Sequence, residues 1–416
     1  MLMDVPPKDY DIATNALPEG VLALFPDSLA VGKAFGVMLV QQDGAQYEVA
    51  TFRRDHGHAD GRHPDAVTFT DAETDAQRRD FTINALFFDP VAGQLLDYVG
   101  GQADIAQRLV RTVGTPAERF AEDHLRLLRA ARFAAVLEFA IDPDTAAAVR
   151  AGAGLLTRVS PERIRQELVR MLTEAPRPGD AIVLLRDLGL LPVILPEVAA
   201  LEGQAQPPEF HPEGDVFVHT ILMLNVMTTR DVRLALAVLL HDVGKPVTAR
   251  LIDDRLRFYN HAGEGARMAE EIMRRLRFSN EDTDAVVHAV GTHMRVGDAQ
   301  RMRRATLRRL LGDAHFPLEL ELHRLDCVAS HREMDNYEFL VNASRELAGE
   351  PVLPDAWING RDIMQLGVPQ GPEIGRWLKT AYDAQLEGTF TDRQSLLAWL
   401  RRLIADNASP NVTPAE

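Results

Sequence analysis

The chain has 416 residues, 46% hydrophobic and 25% charged, the make-up of an ordinary globular protein with room for two to four domains. Its formal charge of −16 argues against wrapping duplex DNA through the chain as a whole, because phosphate binding needs positive surface. No apolar run approaches the roughly 18 residues of a membrane span, and the single cysteine, Cys327, excludes internal disulfides and cysteine-built zinc sites. A reducing cytoplasm fits that cysteine usage. The opening residues, Met1 to Pro6, carry no basic region followed by an apolar core, so no secretory signal is expected.

From residue 9 to about 100 the pattern predicts mostly strands. Segments 47–52, 66–69 and 81–88 are short β-branched or aromatic runs, and Asp89-Pro90-Val91-Ala92-Gly93 turns the last of them back into 94–99 as a hairpin. After Gly101 the pattern becomes helical. Thr115-Pro116-Ala117-Glu118 predicts a helix start, with Thr as cap, Pro at the first helical position and Glu three residues after the cap. Ser160-Pro161-Glu162 opens another. The Pro-, Gly- and Gln-rich stretch 202–213 reads as a linker, 349–354 as a looser join, and the tail from Ala408 as disordered. The chain thus reads as a small α+β head (1–112), a helical neck and body (113–203), an α-helical domain (204–345) and a C-terminal helical region (346–416).

Asp9-Tyr10-Asp11 is a D-x-D at the start of an expected strand, so both carboxylates share a face. Two adjacent carboxylates are most readily reconciled by a cation, and hard oxygen ligands favour Mg²⁺. Taken alone, the motif reads first as a solvated turn. Glu48, heading its own strand, would supply a third carboxylate.

Four further blocks follow in order: Glu48-Val49-Ala50-Thr51-Phe52-Arg53; Asp60-Gly61-Arg62-His63-Pro64-Asp65; Arg78-Arg79-Asp80-Phe81-Thr82-Ile83-Asn84; and Glu122-Asp123-His124-Leu125-Arg126-Leu127-Leu128-Arg129-Ala130-Ala131-Arg132. With the D-x-D, this series resembles the bacterial class II tRNA nucleotidyltransferase and poly(A) polymerase family over residues 4–175. The resemblance implies a polymerase β-like head with a mixed sheet. It also implies Mg²⁺-dependent attack of a tRNA 3′ hydroxyl on the α-phosphate of CTP or ATP, with Asp9, Asp11 and Glu48 as catalytic carboxylates. Arg62, Arg78 and Arg79 would neutralise the triphosphate, and Asp80 and Asn84 would brace that wall or the sugar. The bland reading of Arg78-Arg79-Asp80 is a surface ion-pair cluster.

Asp123 and Arg126 are expected three apart on the helix that starts at Pro116, hence on one face. An acceptor beside a donor complements the amino group and ring nitrogen shared by cytosine and adenine, and opposes the edges of uracil and guanine. Arg129 and Arg132 would continue that face toward the phosphates or keep Asp123 ionised. The commoner meaning of E-D-x-x-R is a helix laced by ion pairs.

Family members usually open with a strand and a Gly-Gly-x-Val-Arg-Asp loop before the D-x-D. This sequence begins where that loop would end, so the first strand is expected to be missing: a start lying upstream is favoured over a shortened chain or a loss of activity, and weak activity or stability is expected for the chain as it stands.

A second constellation lies further on. The apolar helix 234–240 ends in His241-Asp242, and His219, Asn260-His261, His288, His293 and Asp326 accompany it. A lone His-Asp pair is usually structural, but this order resembles the HD phosphohydrolase superfamily. By that resemblance His219, His241, Asp242 and Asp326 would ligate a divalent transition metal or Mg²⁺. His261 and His293 would serve a second metal, and Lys245 a phosphate. The basic run Arg301, Arg303, Arg304, Arg308 and Arg309 is equally a solvated helix face or a clamp on tRNA, extended by Arg163, Arg165 and Arg170. The leading expectation is a cytoplasmic enzyme building the tRNA 3′ CCA end, binding no membrane. Alternatives are CC-only or A-only addition, a poly(A) polymerase, or an HD phosphohydrolase whose head survives as an RNA-binding platform. Oligomeric state is not legible.

Overall fold

The computed structural model describes residues 10–32, 35–57, 61, 64–207, 214–347, 349 and 351–408. It divides into two compact units, Met1–Val287 and His288–Glu416. The architecture is α+β, with the strands concentrated in the head.

The head is built on a four-stranded mixed sheet of β1 (Ile12–Thr14), β2 (Leu29–Gly32), β3 (Val37–Gln42) and β4 (Ala45–Thr51), in the order β1-β4-β3-β2. β3 and β4 pair antiparallel through the two-residue turn Asp43-Gly44, both at positive φ (51° and 78°), the geometry that matches strand twist and that Asp-Gly tolerates. β1 lies parallel to β4, with Ile12 opposite Val49. Side chains alternate across the sheet. Met38, Val40 and Val49 pack with Val21 of helix Pro18–Leu24 as the head's core, while Val37, Glu48 and Ala50 face a cleft on the other side.

Two hairpins extend the head: Arg53–His56 with Ala66–Phe69, and Leu86–Asp89 with Gln94–Asp97. The segment 81–88 is not one strand as its composition suggested. Thr82–Asn84 forms a turn of 3₁₀-helix, and the Asn84 amide reaches back to the Asp80 carboxylate at 3.1 Å.

The helix predicted at Pro116 forms but stops at Glu122, and a second helix runs Arg126–Leu137. The Thr115 and Ser160 side chains make no capping bond, so Pro at the first helical position marks these starts. Arg126–Leu137 packs on helix Pro161–Glu174. Further on, the almost wholly apolar helix Val232–Leu240 is fully buried from Leu234 onward and delivers His241 and Asp242 at its end. Of the expected linker, residues 208–213 lie outside the described ones; before them Ala205 bridges Asp215.

The second unit has two small cores of its own. One gathers Val296, Leu310, Phe316 and Leu340; the other gathers Ile363, Ala381, Leu396 and Leu400, against which Trp357, Trp377 and Trp399 pack. Among the described residues, no helix is long and apolar enough to cross a membrane. The tail beyond 408 lies outside the described residues.

Candidate active site and histidine cluster

A cleft of about 1720 Å³ in the first unit is lined by Asp11, Glu48, Arg78, Arg79, Asp80 and Asn84, and also by Asp123, Arg126, Arg129, Arg132 and Arg163. Asp9 and Arg62 lie outside the described residues. The parallel register that sets Ile12 against Val49 puts Asp11 level with Glu48 one residue earlier. Both carboxylates are exposed. Among the described residues neither Asp11 nor Glu48 has an ion-pair partner. Two like charges on neighbouring strands, open to a cleft and made of hard oxygen donors, fit a divalent cation.

Arg78 and Arg79 are held rather than free. Asp75, buried on helix Ala72–Gln77, accepts from Arg78 at 2.8 Å and from Arg79 at 3.3 Å. The Arg79 guanidinium also donates to the Asn84 carbonyl at 3.0 Å and stacks 4.6 Å over Phe87. Sequence reasoning passed over Asp75, a buried acid three and four residues before two arginines.

Asp80 is buried. Its carboxylate accepts from Arg129 Nε at 2.7 Å, from the Asn84 amide and from the Phe81 N–H at 2.9 Å. Burial alone would raise this carboxyl, but Arg129 and Asn84, with Arg126 behind them, outweigh it and hold the group below the usual carboxylate range. A carboxyl depressed on folding stabilises the native state above its unfolded value of about 3.9, and that contribution fades as pH falls through the lower folded value. Thermal melts from pH 7 down to 3 should therefore show the wild-type midpoint falling steeply below about pH 4, and Asp80→Asn starting lower with a shallower fall. Parallel curves would contradict this.

Asp123 and Arg126 do not share a helix. Asp123 is extended (φ −144°, ψ 108°), and its Oδ1 accepts the Leu125 N–H at 3.0 Å, an Asx-type turn between two helices. The two residues therefore do not share a helical face as their spacing predicts, although both side chains line the cleft. Arg163, on the neck helix Pro161–Glu174, forks both oxygens of Asp123 at 3.1 and 2.7 Å. Arg126 donates to Glu122 at 2.6 Å, to the Arg119 carbonyl at 3.0 Å and to the Arg78 carbonyl at 3.2 Å.

Arg129 turns to Asp80 rather than continuing toward Asp123. Arg132 is 2% exposed and bonds Glu167 at 2.5 Å, so it is a buried structural cation rather than an open phosphate contact.

In the same unit His219, His241 and Asp242 are buried, with ligating atoms within 4.8 Å of one another. The His241 and His261 rings approach the carbonyls of Val238 and Phe258 through Nδ1, at 2.8 and 2.9 Å. A carbonyl only accepts, so Nδ1 donates and Nε2 is turned toward Asp242, at 3.1 Å from His241 and 3.6 Å from His261. Burial holds the His261 imidazole below its ordinary value despite Asp242, which favours the neutral, metal-ligating form. Lys245 bonds Asp242 at 2.7 Å and Gln206 at 2.8 Å. This donor set, imidazole nitrogens beside a carboxylate, fits a divalent metal.

His293 and Asp326 belong to the second unit, the first buried, the second on helix Phe316–Ala329. A third group there, His288, Asp313 and Glu319, has metal-like spacing. Arg295 fills it, its guanidinium 2.5 Å from Glu319 and 3.2 Å from Asp313. The basic run also divides. Arg301, Arg303 and Arg304 are exposed, but Arg308 is buried on the carbonyls of Val352 and Pro351, and Arg309 pairs with Asp383.

The Poly A polymerase head domain matches residues 1–111, the probable RNA and SrmB-binding site of polymerase A 138–201, and the HD domain 216–343. The Multifunctional CCA protein of Xanthomonas campestris pv. campestris (strain B100) is 36% identical over 377 residues, covering 88% of this chain and 90% of its own length. The chain belongs to the CCA-adding enzyme family. The CCA-adding enzyme of Geobacillus kaustophilus is 45% identical over 193 residues, 46% of this chain, and the match spans about half of that relative, 47%. The crystal structure of the Bacillus stearothermophilus CCA-adding enzyme in complex with CTP superposes with a TM-score of 0.74 at 27% identity, covering 98% of this chain and 91% of that one.

Proposed function

We propose that this family member builds or repairs the 3′-terminal CCA of tRNA in the cytoplasm, drawing on CTP and ATP without a template. The observation that carries this reading is a single cleft lined both by the Asp11–Glu48 carboxylate pair and by the Asp123–Arg126 edge. In the proposed reaction the RNA 3′ oxygen attacks the α-phosphorus, the bond to the bridging oxygen breaks, and pyrophosphate leaves. Asp9, Asp11 and Glu48 would hold Mg²⁺, which when bound offsets phosphate charge and favours the attacking alkoxide.

Arg78 and Arg79, fixed by Asp75, present positive charge to the β- and γ-phosphates, with Arg62 as a further candidate. Asp80 and Asn84 brace the wall and hold Arg129 in place. Asp123 accepts from the exocyclic amino group of cytosine or adenine while Arg126 donates to the neighbouring ring nitrogen. We assign nucleotidyl transfer to 1–112, base choice and RNA binding to 113–203, a metal-dependent phosphohydrolase site to 204–345, and a further helical region to 346–416. In the HD segment His219, His241, Asp242 and Asp326 would hold the metal, with His261 and His293 for a second. The exposed Arg301, Arg303 and Arg304 suit the RNA backbone, screened by added salt.

The test incubates tRNA ending at its discriminator base with CTP and ATP. Extension by CCA that is lost with Asp9→Ala and kept with Asp242→Ala supports the reading. Phosphate-ester cleavage that is lost with Asp242→Ala, with no extension, favours the hydrolase alternative.

A further inference from the structure

Counting hydrogen-bond positions around Asp123 gives Arg163 a role beyond that of a surface ion pair. A carboxylate offers about four acceptor positions, two on each oxygen. Oδ1 accepts from the Leu125 N–H at 3.0 Å and from Arg163 at 3.1 Å, and Oδ2 accepts from Arg163 at 2.7 Å. One position is left, on Oδ2. The two-pronged contact also fixes the plane of the carboxylate, since a planar guanidinium fork tolerates little rotation of its partner.

Arg126 is limited in the same way. Of its five N–H groups, one guanidinium nitrogen gives both of its own to Glu122 and the Arg119 carbonyl, and the other gives one to the Arg78 carbonyl. What remains is Nε–H and one terminal N–H. All three side chains line the cleft. The arrangement thus offers a fixed single acceptor beside a small number of donors, where an unrestrained Asp and Arg would offer a broad and adaptable set.

We infer that Arg163 is a positioning residue for base choice: by forking both oxygens of Asp123 it leaves one oriented acceptor, and that restriction rejects uracil and guanine. A base edge bearing a carbonyl meets an oxygen that cannot turn away and has no proton to offer. Without the fork the carboxylate turns about its terminal torsion, and a water enters to bridge it to a carbonyl. The inference rests on the nucleotidyl-transfer reading above. It assigns the neck helix a part in selectivity, although Arg163 lies forty residues from the carboxylate it holds.

The experiment uses the full chain with Arg163→Gln and Arg163→Lys, a tRNA lacking CCA, and each of CTP, ATP, UTP and GTP separately. We expect the ratio of kcat/KM for CTP over UTP to fall by about 5- to 100-fold, the range of one well-made base contact. The change should be carried by a higher KM for CTP and a lower one for UTP, with kcat for CTP nearly unchanged. Lysine restores the charge but not the fork, so Arg163→Lys should not recover selectivity. Proportional loss with all four nucleotides, or wild-type ratios in both variants, overturns the inference while leaving the transfer reading intact. A wild-type chain that incorporates no nucleotide overturns the reading beneath it and the inference with it.

Discussion

Asp11→Ala is expected to lower CMP incorporation by on the order of 10³-fold, the scale of losing one preorganised electrostatic group at a reacting centre, while leaving the melting midpoint where it was. The two halves of that expectation have one cause. Asp11 stands level with Glu48 on adjacent parallel strands, both carboxylates are exposed, and neither is tied to a described cation. Nothing in the fold leans on the charge, and the repulsion between the two groups is a small cost that the substitution removes. A surface change of this kind shifts stability by no more than about 0.5 kcal/mol. Incorporation should respond in full, because the charge is useful only when phosphate and cation enter the cleft. Glu48→Gln keeps the shape and one oxygen acceptor, so its loss should be smaller. Single-turnover incorporation on tRNA, beside a thermal melt of each variant, checks both halves. Retained turnover in Asp11→Ala would move the chemistry elsewhere in the molecule.

Much of the head was legible because its signals are local. The runs 47–52 and 66–69 overlap the strands Ala45–Thr51 and Ala66–Phe69, and Asp89 to Gly93 turns Leu86–Asp89 back into Gln94–Asp97 as read. The buried helix before His241 was legible for the same reason, as an unbroken apolar run. The break at Asp123 was not. No Gly or Pro follows Pro116 within 117–137, and the spacing Glu122, Arg126, Arg129 suits one continuous helix. What ends the first helix is a short side-chain bond from Asp123 to the Leu125 N–H, held by an arginine on another helix, and sequence spacing carries no trace of it. The run 81–88 misled similarly: its aromatic and β-branched residues favour a strand, but Asn84 bonds back to Asp80 four residues earlier across a tight helical turn, and Asp80 is held there by the distant Arg129. Arg308 had the composition of a solvated face and is instead fixed to two carbonyls of 351–352, the join that composition suggested was loose.

The same blindness to distant partners applies most strongly to Arg132, and there it carries a large energetic consequence. Its motif places it with Arg126 and Arg129 on a helix facing the cleft, yet its side chain is 2% exposed and its partner Glu167 only 6%. The guanidinium also lies 3.9 Å over the Phe133 ring. Arg132→Met should cost about 3–5 kcal/mol, because it strands a buried carboxylate with its desolvation uncompensated. The double variant Arg132→Met/Glu167→Leu should recover most of that loss, since two apolar side chains of similar volume need no partner. Urea unfolding of Arg132→Met, Glu167→Leu and the double variant measures the cycle. Single variants that cost no more than the ~0–1 kcal/mol of an exposed ion pair would show that the site is wetter than its burial indicates. The cost bears on function through geometry. The neck helix Pro161–Glu174 is joined to the Arg126–Leu137 helix by Glu167 and Arg132, and to the turn just before that helix by Arg163 and Asp123. Loosening the buried pair while leaving Asp123, Arg126 and Arg163 in place should raise KM for CTP more than it lowers kcat, because the segment that aims the base-reading groups would lose one of its two ionic joints to the neck helix.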